Sequence, residues 1–455
     1  MEINSRSIYG FICKSFSKDR RTTNVVVNSI ASAILKSVSM LCSLAIVPMT
    51  VNYLNAEVYG IWMAISSIIY WIAFMDIGLG NGMRNHVSRS IAVGDMDMAR
   101  TYFSTAILYL CLLAVVIGVV VLPLIRNIDF QCVLNTKVLS SEQLSAVMTI
   151  AVSLTLVQFV VKNVGLVYVA MQKYAVNDFI LCVSNLVTLL AIFVLTKTTS
   201  PDLTNIVIVF IAIPFVIYAL SAIPLLRRYP QLMPGLDCIN SQAAISITGK
   251  GLGFFVIQIT SCLVVFSSTN IFISHFFGPE QVTSYNVAYK YFNLLIIGYT
   301  IVLAPLWNAY TEAFVKRDFN WIRLTYRRSL KSWGWITLAG VLMLLVSPYF
   351  FRLWVGTSVA VPFGLSACVL AYVSMFNFAN ASAHLLNGLS ILRIHILTSI
   401  IVAAIYLTTV LAFGTWLGPV GIIAVMAVSY LIMGIVYTYQ CFLVINHRAS
   451  GIWSK

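Results

Sequence analysis

The chain has 455 residues, of which 60% are apolar and 9% charged, and its mean hydropathy is +0.93. So little polar surface cannot enclose a water-soluble globule of this size, which excludes a soluble enzyme or binding module and implies a polytopic membrane protein. The net charge of +14 reads as a topology signal rather than a nucleic-acid surface, because the basic residues crowd into alternate loops.

Stretches of about 20 apolar residues suffice to cross a hydrocarbon core roughly 30 Å thick as helix. Twelve are predicted, at 28–53, 58–79, 102–125, 144–169, 177–196, 203–226, 251–275, 284–311, 332–351, 361–387, 394–413 and 419–445. The first 27 residues are basic and polar without a short apolar stretch and cleavage site, so the first span is expected to remain in the protein. An even number of spans puts both termini on one side. That side carries 21 of the 28 Lys and Arg residues, the opposite loops only Arg126, Lys137, Lys197 and Arg352, and the last three lie inside spans. Lys and Arg stay cytoplasmic, so both termini are expected there.

The loops on the sparse side are short and leave no room for an extracytoplasmic catalytic domain. Asp95-Met96-Asp97 matches the Asp-x-Asp pattern of metal and nucleotide-sugar sites. With no soluble domain around it, it is expected to be a solvated turn that starts a cytoplasmic helix. No Gly-rich phosphate loop is present to bind ATP, so transport would draw on an ion gradient, H⁺ or Na⁺, or on the substrate itself. Of nine cysteines only Cys132 falls in a sparse-side loop, and none has metal spacing; neither a disulfide nor a metal site is expected.

Sliding the chain by 223 residues places Glu57 on Glu280, Asn85 on Asn308, Asp95 on Asp318 and Arg100 on Arg323 without a gap. The matched positions have the same place in the topology, so the sequence predicts two six-helix halves related by an axis along the membrane normal. The expected divisions are a tail (1–27), an N-terminal bundle (28–226), a cytoplasmic linker (227–250), a C-terminal bundle (251–445) and a second tail (446–455).

Charged residues near a helix centre cost about 2.5–3.5 kcal/mol on insertion scales and therefore face protein or water. Three lysines do so here, each on a polar stripe at helical spacing. The first span aligns Ser29, Ser32, Lys36, Ser39 and Ser43; the fourth, Thr155, Gln158, Lys162 and Gly165; the eighth, Asn286, Lys290, Asn293 and Thr300. Two stripes lack lysine: Gln258, Ser261, Ser268 and His275 in the seventh span, and Asn377, Asn380, His384 and Asn387 in the tenth. Small and amide side chains also serve plain helix packing, but no acid lies within a turn of any of the three lysines, which favours a shared wet lumen. Asp76, Asp178 and Glu312, near span ends, are candidates for pairing across the bundle or for ion coupling, as are His275 and His384 for titration. A cationic lumen edged with amides and hydroxyls suits an anionic, hydroxyl-rich substrate, and Tyr285, Tyr289, Tyr291, Tyr299 and Trp307 could stack on sugar rings.

Glu57-Val58-Tyr59-Gly60-Ile61-Trp62, then Asp76-Ile77-Gly78-Leu79-Gly80-Asn81-Gly82-Met83-Arg84-Asn85, and Gly94-Asp95 through Ala99-Arg100 resemble the N-terminal half of Wzx-type O-antigen and polysaccharide flippases of the MATE-like exporter superfamily. The segment from Gly278-Pro279-Glu280 is similar to the matching part of the second half. The resemblance implies an all-α pair of six-helix bundles that moves undecaprenyl-pyrophosphate-linked oligosaccharide across the bacterial inner membrane by alternating access, beside polymerase and chain-length-regulating partners. It places Arg84 and Asn85 in the motif, and a structural role is expected for Gly78, Gly80 and Gly82. Pro48, Pro214 and Pro305 are candidate bends or static kinks. A small-cation exporter would be expected to carry buried carboxylates, against which the three central lysines and end-of-span acids argue, and a glycan-assembly enzyme a large extracytoplasmic loop, which this chain lacks. Alanine at Lys36, Lys162 or Lys290 is expected to reduce transport and leave insertion intact.

Overall fold

The computed structural model describes residues 20–454 except 74, 77, 250–254, 257, 258, 261–266 and 390, and the side chains of 20–30, 73, 249, 304, 305 and 308 are likewise outside the description. Gln258 and Ser261 therefore lie outside the described residues, as do the tail up to residue 19 and the side chains of Ser29, Pro305 and Asn308.

In chain order the first half comprises α1 (Arg20–Leu54), α2 (Ala56–Ala73), α3 (Leu79–Ala92), α4 (Met96–Ile125), α5 (Phe130–Leu134), α6 (Ser141–Val161), α7 (Asn163–Ala170), α8 (Tyr174–Thr198) and α9 (Leu203–Arg228). The connecting segment holds α10 (Ser241–Gly249), and the second half holds α11 (Ser268–Phe277), α12 (Pro279–Val315), α13 (Phe319–Trp354), α14 (Phe363–Gly388) and α15 (Arg393–Ile445). Spans one to six are α1, α2, α4, α6 with α7, α8 and α9. Among the described residues, α11 covers the end of the predicted seventh span, and α12, α13, α14 and the two arms of α15 supply spans eight to twelve. Within α15 the chain reverses at Gly418, whose φ of 69° a glycine adopts without steric cost. The Tyr437 hydroxyl on one arm consequently donates to the His395 carbonyl on the other at 3.4 Å.

Local chemistry sets the boundaries. Asp95 caps α4 by accepting from the Met98 amide at 2.9 Å, and Ser140 with Gln143 forms a capping box at the start of α6, each supplying acceptors for amides that a helix start leaves unpaired. The Asp-x-Asp match is thus a helix start, and α4 begins six residues earlier than the apolar stretch because its first turns are polar. Span two ends at Ala73, and Gly78 with φ 75° turns the chain into the amphipathic α3.

The 223-residue repeat is written into the backbone. Asn55 (φ 73°) corresponds to Gly278 (φ 87°), and Gly94 (φ 80°) to Arg317 (φ 57°). The Asp95 amide donates to the Ser90 carbonyl at 2.9 Å, and its counterpart Asp318 donates to Ala313 at 2.9 Å. Asp318 caps α13 through the Trp321 amide at 3.0 Å, as Asp95 caps α4. Arg100 donates to the Met233 carbonyl at 2.8 Å, just past the sixth span, and Arg323 to the Asn446 side chain at 2.9 Å, just past the twelfth. The Asp and Arg identities therefore mark one structural unit used twice.

The basic-side loops and the sparse-side loops emerge at opposite ends, here termed the basic and the neutral face. At the basic face the segment after α9 folds back on the first half. Gly235 and Asn240 amides donate to Ser104 and Thr105 at 3.2 Å each, Arg100 pairs with Asp237 at 3.2 Å, and Ile247 is fully buried. Gly82 lies under this strap: a Cβ there would sit 2.1 Å from the Ile247 carbonyl oxygen. Arg100→Ala is expected to increase protease cleavage within 230–249 severalfold, with a small cost in stability because the ion pair is solvent-screened. Acid should act in the same direction. The Cys238 thiol, the residue's own backbone and Arg100 hold the Asp237 carboxyl below its ordinary value, so its stabilising contribution is present above the unfolded carboxylate pKa and is lost as pH falls through the depressed folded one. Cleavage that is insensitive to both changes would show that the strap is held by its apolar contacts alone.

Candidate functional site

The halves meet along α2 and α12, with α1, α11 and α5 around them. One apolar core crosses the seam, holding Ile61, Ala64 and Ile65 of α2 with Val282, Val287 and Phe292 of α12; a second lies inside the first half and includes Met83, Val87, Phe103 and Ile247. Apolar burial gives no net drive between helices in lipid, so close approach and hydrogen bonds carry this contact. The helices approach closely at Gly60, where a Cβ would lie 1.8 Å from the Pro279 carbonyl oxygen.

Among the described residues, the hydrogen bonds that join the halves run from the neutral face to mid-membrane. At the rim Thr283 donates to the Ala56 carbonyl at 2.6 Å, Ser274 to Leu134 at 2.8 Å, and His275 Nδ1 lies 3.2 Å from the Val133 oxygen. Deeper, Asn286 donates to Asn270 and Asn270 to Ser67, each at 2.8 Å, all three side chains being buried. The Trp354 indole donates to Leu44 at 3.0 Å, and one turn beyond Asn286 the Lys290 ammonium donates to Ser43 at 3.4 Å. One more turn toward the basic face, Asn293 accepts from the Tyr289 hydroxyl at 3.1 Å. The α12 stripe read from sequence therefore runs along the seam.

The three lysines have different surroundings. Lys290 is half-buried between the halves and, among the described residues, pairs with no carboxylate. Lys36 is exposed on α1 and reaches Asp178 on the neighbouring α8 at 3.6 Å, whose side chain is only 9% exposed. Lys162 marks the tightened turn between α6 and α7, over the Phe159 ring at 5.3 Å. Nearby, Asp76 and Asn163 converge on Gly80, where a Cβ would meet the Asn163 Oδ1 at 2.6 Å and an Asp76 oxygen at 3.0 Å. Gly80 and Gly82 thus permit packing, in line with the structural role expected for them.

Other candidates scatter. Ser39 receives a hydrogen bond from Asn185, and Ser32 is buried on α1. Asn377 is buried within the second half and donates to the Leu295 carbonyl at 3.3 Å. The His384 ring nitrogen lies 2.9 Å from the carbonyl of Asn380 one turn back, with the ring edge-on to Trp307 at 5.8 Å. Gln158 is half-buried on α6, Arg84 bonds its neighbour Asn85 at the basic face, and Glu312 pairs with Lys316 on its own helix. The aromatic expectation needs correction. Tyr285, Tyr291 and Tyr299 are buried in the second half, Tyr291 against Phe350 and Tyr299 bonded to the Ser329 carbonyl, so only Tyr289 and Trp307 of that set keep partly open rings. Two seam residues escaped sequence reading: Asn270 lies off the stripe of Ser268 and His275, and Ser67 is one hydroxyl of a Ser66-Ser67 pair in an otherwise apolar helix.

An inward-facing multidrug resistance MATE family transporter of the MOP superfamily superimposes with a TM-score of 0.77, covering 92% of this chain and 98% of that one at 16% identity. An outward-facing MATE transporter of that superfamily gives 0.67 over 94% and 96% at 16% identity, and a MOP superfamily transporter from Pyrococcus furiosus, described by the reversed polarity of its binding pocket, gives 0.67 over 94% and 96% at 14%. In sequence the chain is 22% identical over 272 residues to a Yersinia pseudotuberculosis protein named for O-antigen export, covering 59% of this chain and 61% of that one. It is also 22% identical over 288 residues to a Salmonella typhimurium protein named as an O-antigen transporter, covering 61% and 63%. The chain thus aligns with about three fifths of each of these relatives, and no family model matches it. It is a multi-pass membrane protein with the twelve-helix, two-bundle fold of the MATE transporters of the MOP superfamily, and its resemblance to Wzx-type flippases agrees with the names of its sequence relatives.

Proposed function

We propose that this chain translocates a polyprenyl-pyrophosphate-linked oligosaccharide, an O-antigen or related surface-glycan unit, across the bacterial inner membrane by alternating access between its two halves, with the basic face in the cytoplasm. The observation that carries the reading is Lys290, an ammonium half-buried at the seam without a carboxylate partner among the described residues. Such a group is costly unless an anion joins it, and a pyrophosphate does so with charge-assisted hydrogen bonds. Asn293 and Tyr289, one turn nearer the basic face, offer an amide and a hydroxyl-bearing ring to sugar hydroxyls. A seam joined toward the neutral face corresponds to a state that loads from the cytoplasm, and the higher TM-score against an inward-facing relative supports that assignment. The Lys36–Asp178 pair is the candidate for coupling to H⁺ or Na⁺.

Deleting the gene and profiling lipid-linked oligosaccharides tests the reading. Complete repeat units should accumulate on the carrier while surface glycan falls, both restored by the wild-type chain. An unchanged lipid pool and glycan would discard the flippase reading in favour of a small-molecule exporter.

A further inference from the structure

We propose that the relay from Asn286 through Asn270 to Ser67 is the latch of the neutral-face gate, the contact that must break before the halves part on that side. Three observations converge on it. The relay is directional and complete: the Asn286 amide donates to both Asn270 and the Val282 carbonyl, Asn270 donates to Ser67, and Ser67 donates to the Met63 carbonyl at 3.1 Å. It crosses from the second half to the first while each of its side chains is buried. It also lies directly behind the rim, where Thr283 and Ser274 donate to backbone carbonyls of the opposite half.

These rim bonds use backbone acceptors, which any sequence supplies, whereas the relay depends on side chains on both sides. Separating the halves breaks the Asn270–Ser67 bond and strands the Asn270 amide N–H and a Ser67 lone pair in a region that lipid and apolar side chains cannot satisfy, while Asn286 keeps Asn270 and Val282 and Ser67 keeps Met63. Water, or the hydroxyls of a glycan in the lumen, must replace the lost partners. The latch therefore opens at low cost only when the lumen behind it is polar. That makes Asn270 and Ser67 part of the lining in the opposite-facing state, where they accept and donate to sugar hydroxyls on the far side of Lys290. This second step rests on the transport reading above; the latch itself does not need a glycan to be tested.

The test is disulfide cross-linking between Ala56→Cys and Thr283→Cys in the full-length chain with its native cysteines replaced, in liposomes without glycan. The parent pair should cross-link readily. Asn270→Ala should slow cross-linking about tenfold, in keeping with one buried relay bond lost and its partner exposed. Ser67→Ala should slow it in the same direction, and the double variant no further than Asn270→Ala alone, because both remove one relay. Ser382→Ala is the control for general loosening, since its hydroxyl bonds Tyr326 and Thr438 entirely within the second half; it should cross-link at the parent rate. A parent rate for Asn270→Ala, equal slowing by Ser382→Ala, or additive slowing in the double variant would each overturn the latch. Normal latch behaviour in a chain whose deletion leaves lipid-linked glycan unchanged would retain the gate and remove its glycan-facing role.

Discussion

Lys290→Ala is expected to lower the rate of glycolipid transfer roughly 30-fold or more at matched expression, the loss typical when one partner of a desolvated charged contact is removed. Lys290→Arg should recover most of the rate if the requirement is for a cation near the seam, since guanidinium also pairs with phosphate. Lys290→Met keeps the stem and the packing, so it should fail as badly as alanine while inserting at least as well, because the intramembrane charge has gone. Lys36→Ala should behave differently. It strands Asp178, whose side chain is 9% exposed, so the lesion combines slower transport with reduced stability, and adding Asp178→Asn should recover the stability. The readouts are the accumulation of lipid-linked repeat units in cells and the melting temperature of the detergent-purified chain. Wild-type transport in Lys290→Ala would remove the anion-binding role at the seam.

Topology, span number and the internal repeat were legible because each depends on properties a linear pattern preserves: apolar length, the placement of Lys and Arg, and spacing at a constant offset. The offset of 223 even anticipates which residues take positive φ, as at Asn55 with Gly278 and Gly94 with Arg317. The α12 stripe was legible for the same reason, since Asn286, Lys290 and Asn293 share one helical face and that face meets the first half. What a periodicity cannot carry is the identity of the opposing surface. Lys36, Lys162 and Lys290 look alike as members of polar stripes, yet one meets an aspartate, one sits at a helix break over Phe159 and one lies at the seam. The tyrosines of α12 mislead in a similar way, because an aromatic ring that fills a bundle core and one that lines a lumen carry the same letters. Ser67 was invisible because it is a lone hydroxyl among apolar residues on its face, and Asn270 because it shares a face with Ser267 and Ser274 rather than with Ser268 and His275; their meaning lies in being 2.8 Å apart across two halves.

Gly60→Ala is expected to prevent full closure of the neutral face and to reduce transport at least about tenfold, although the change adds a single methyl group to a helix in which alanine is intrinsically preferred to glycine. The reason is what the methyl meets. Its carbon would lie 1.8 Å from the Pro279 carbonyl oxygen, 2.5 Å from the carbonyl carbon and 3.0 Å from the Cα, all backbone at the first turn of α12. Backbone cannot rotate aside as a flexible side chain does, so α2 and α12 must separate by more than 1 Å to reach the roughly 3.5–4 Å of ordinary carbon contact. Thr283 and Ala56, joined at 2.6 Å one turn away, lie on that same approach, and a hydrogen bond lengthened by this amount is effectively lost. The Ala56→Cys/Thr283→Cys pair should accordingly cross-link poorly in the Gly60→Ala background, and a water-soluble thiol reagent should reach Thr283→Cys from the neutral face in vesicles. Gly298→Ala on α12, where nothing lies within 4 Å of the added carbon, should leave both readouts at parent values and separate helix propensity from gate geometry. Parent cross-linking in Gly60→Ala would mean that the helices close without this approach, and the motif glycine would then need another explanation than the seam.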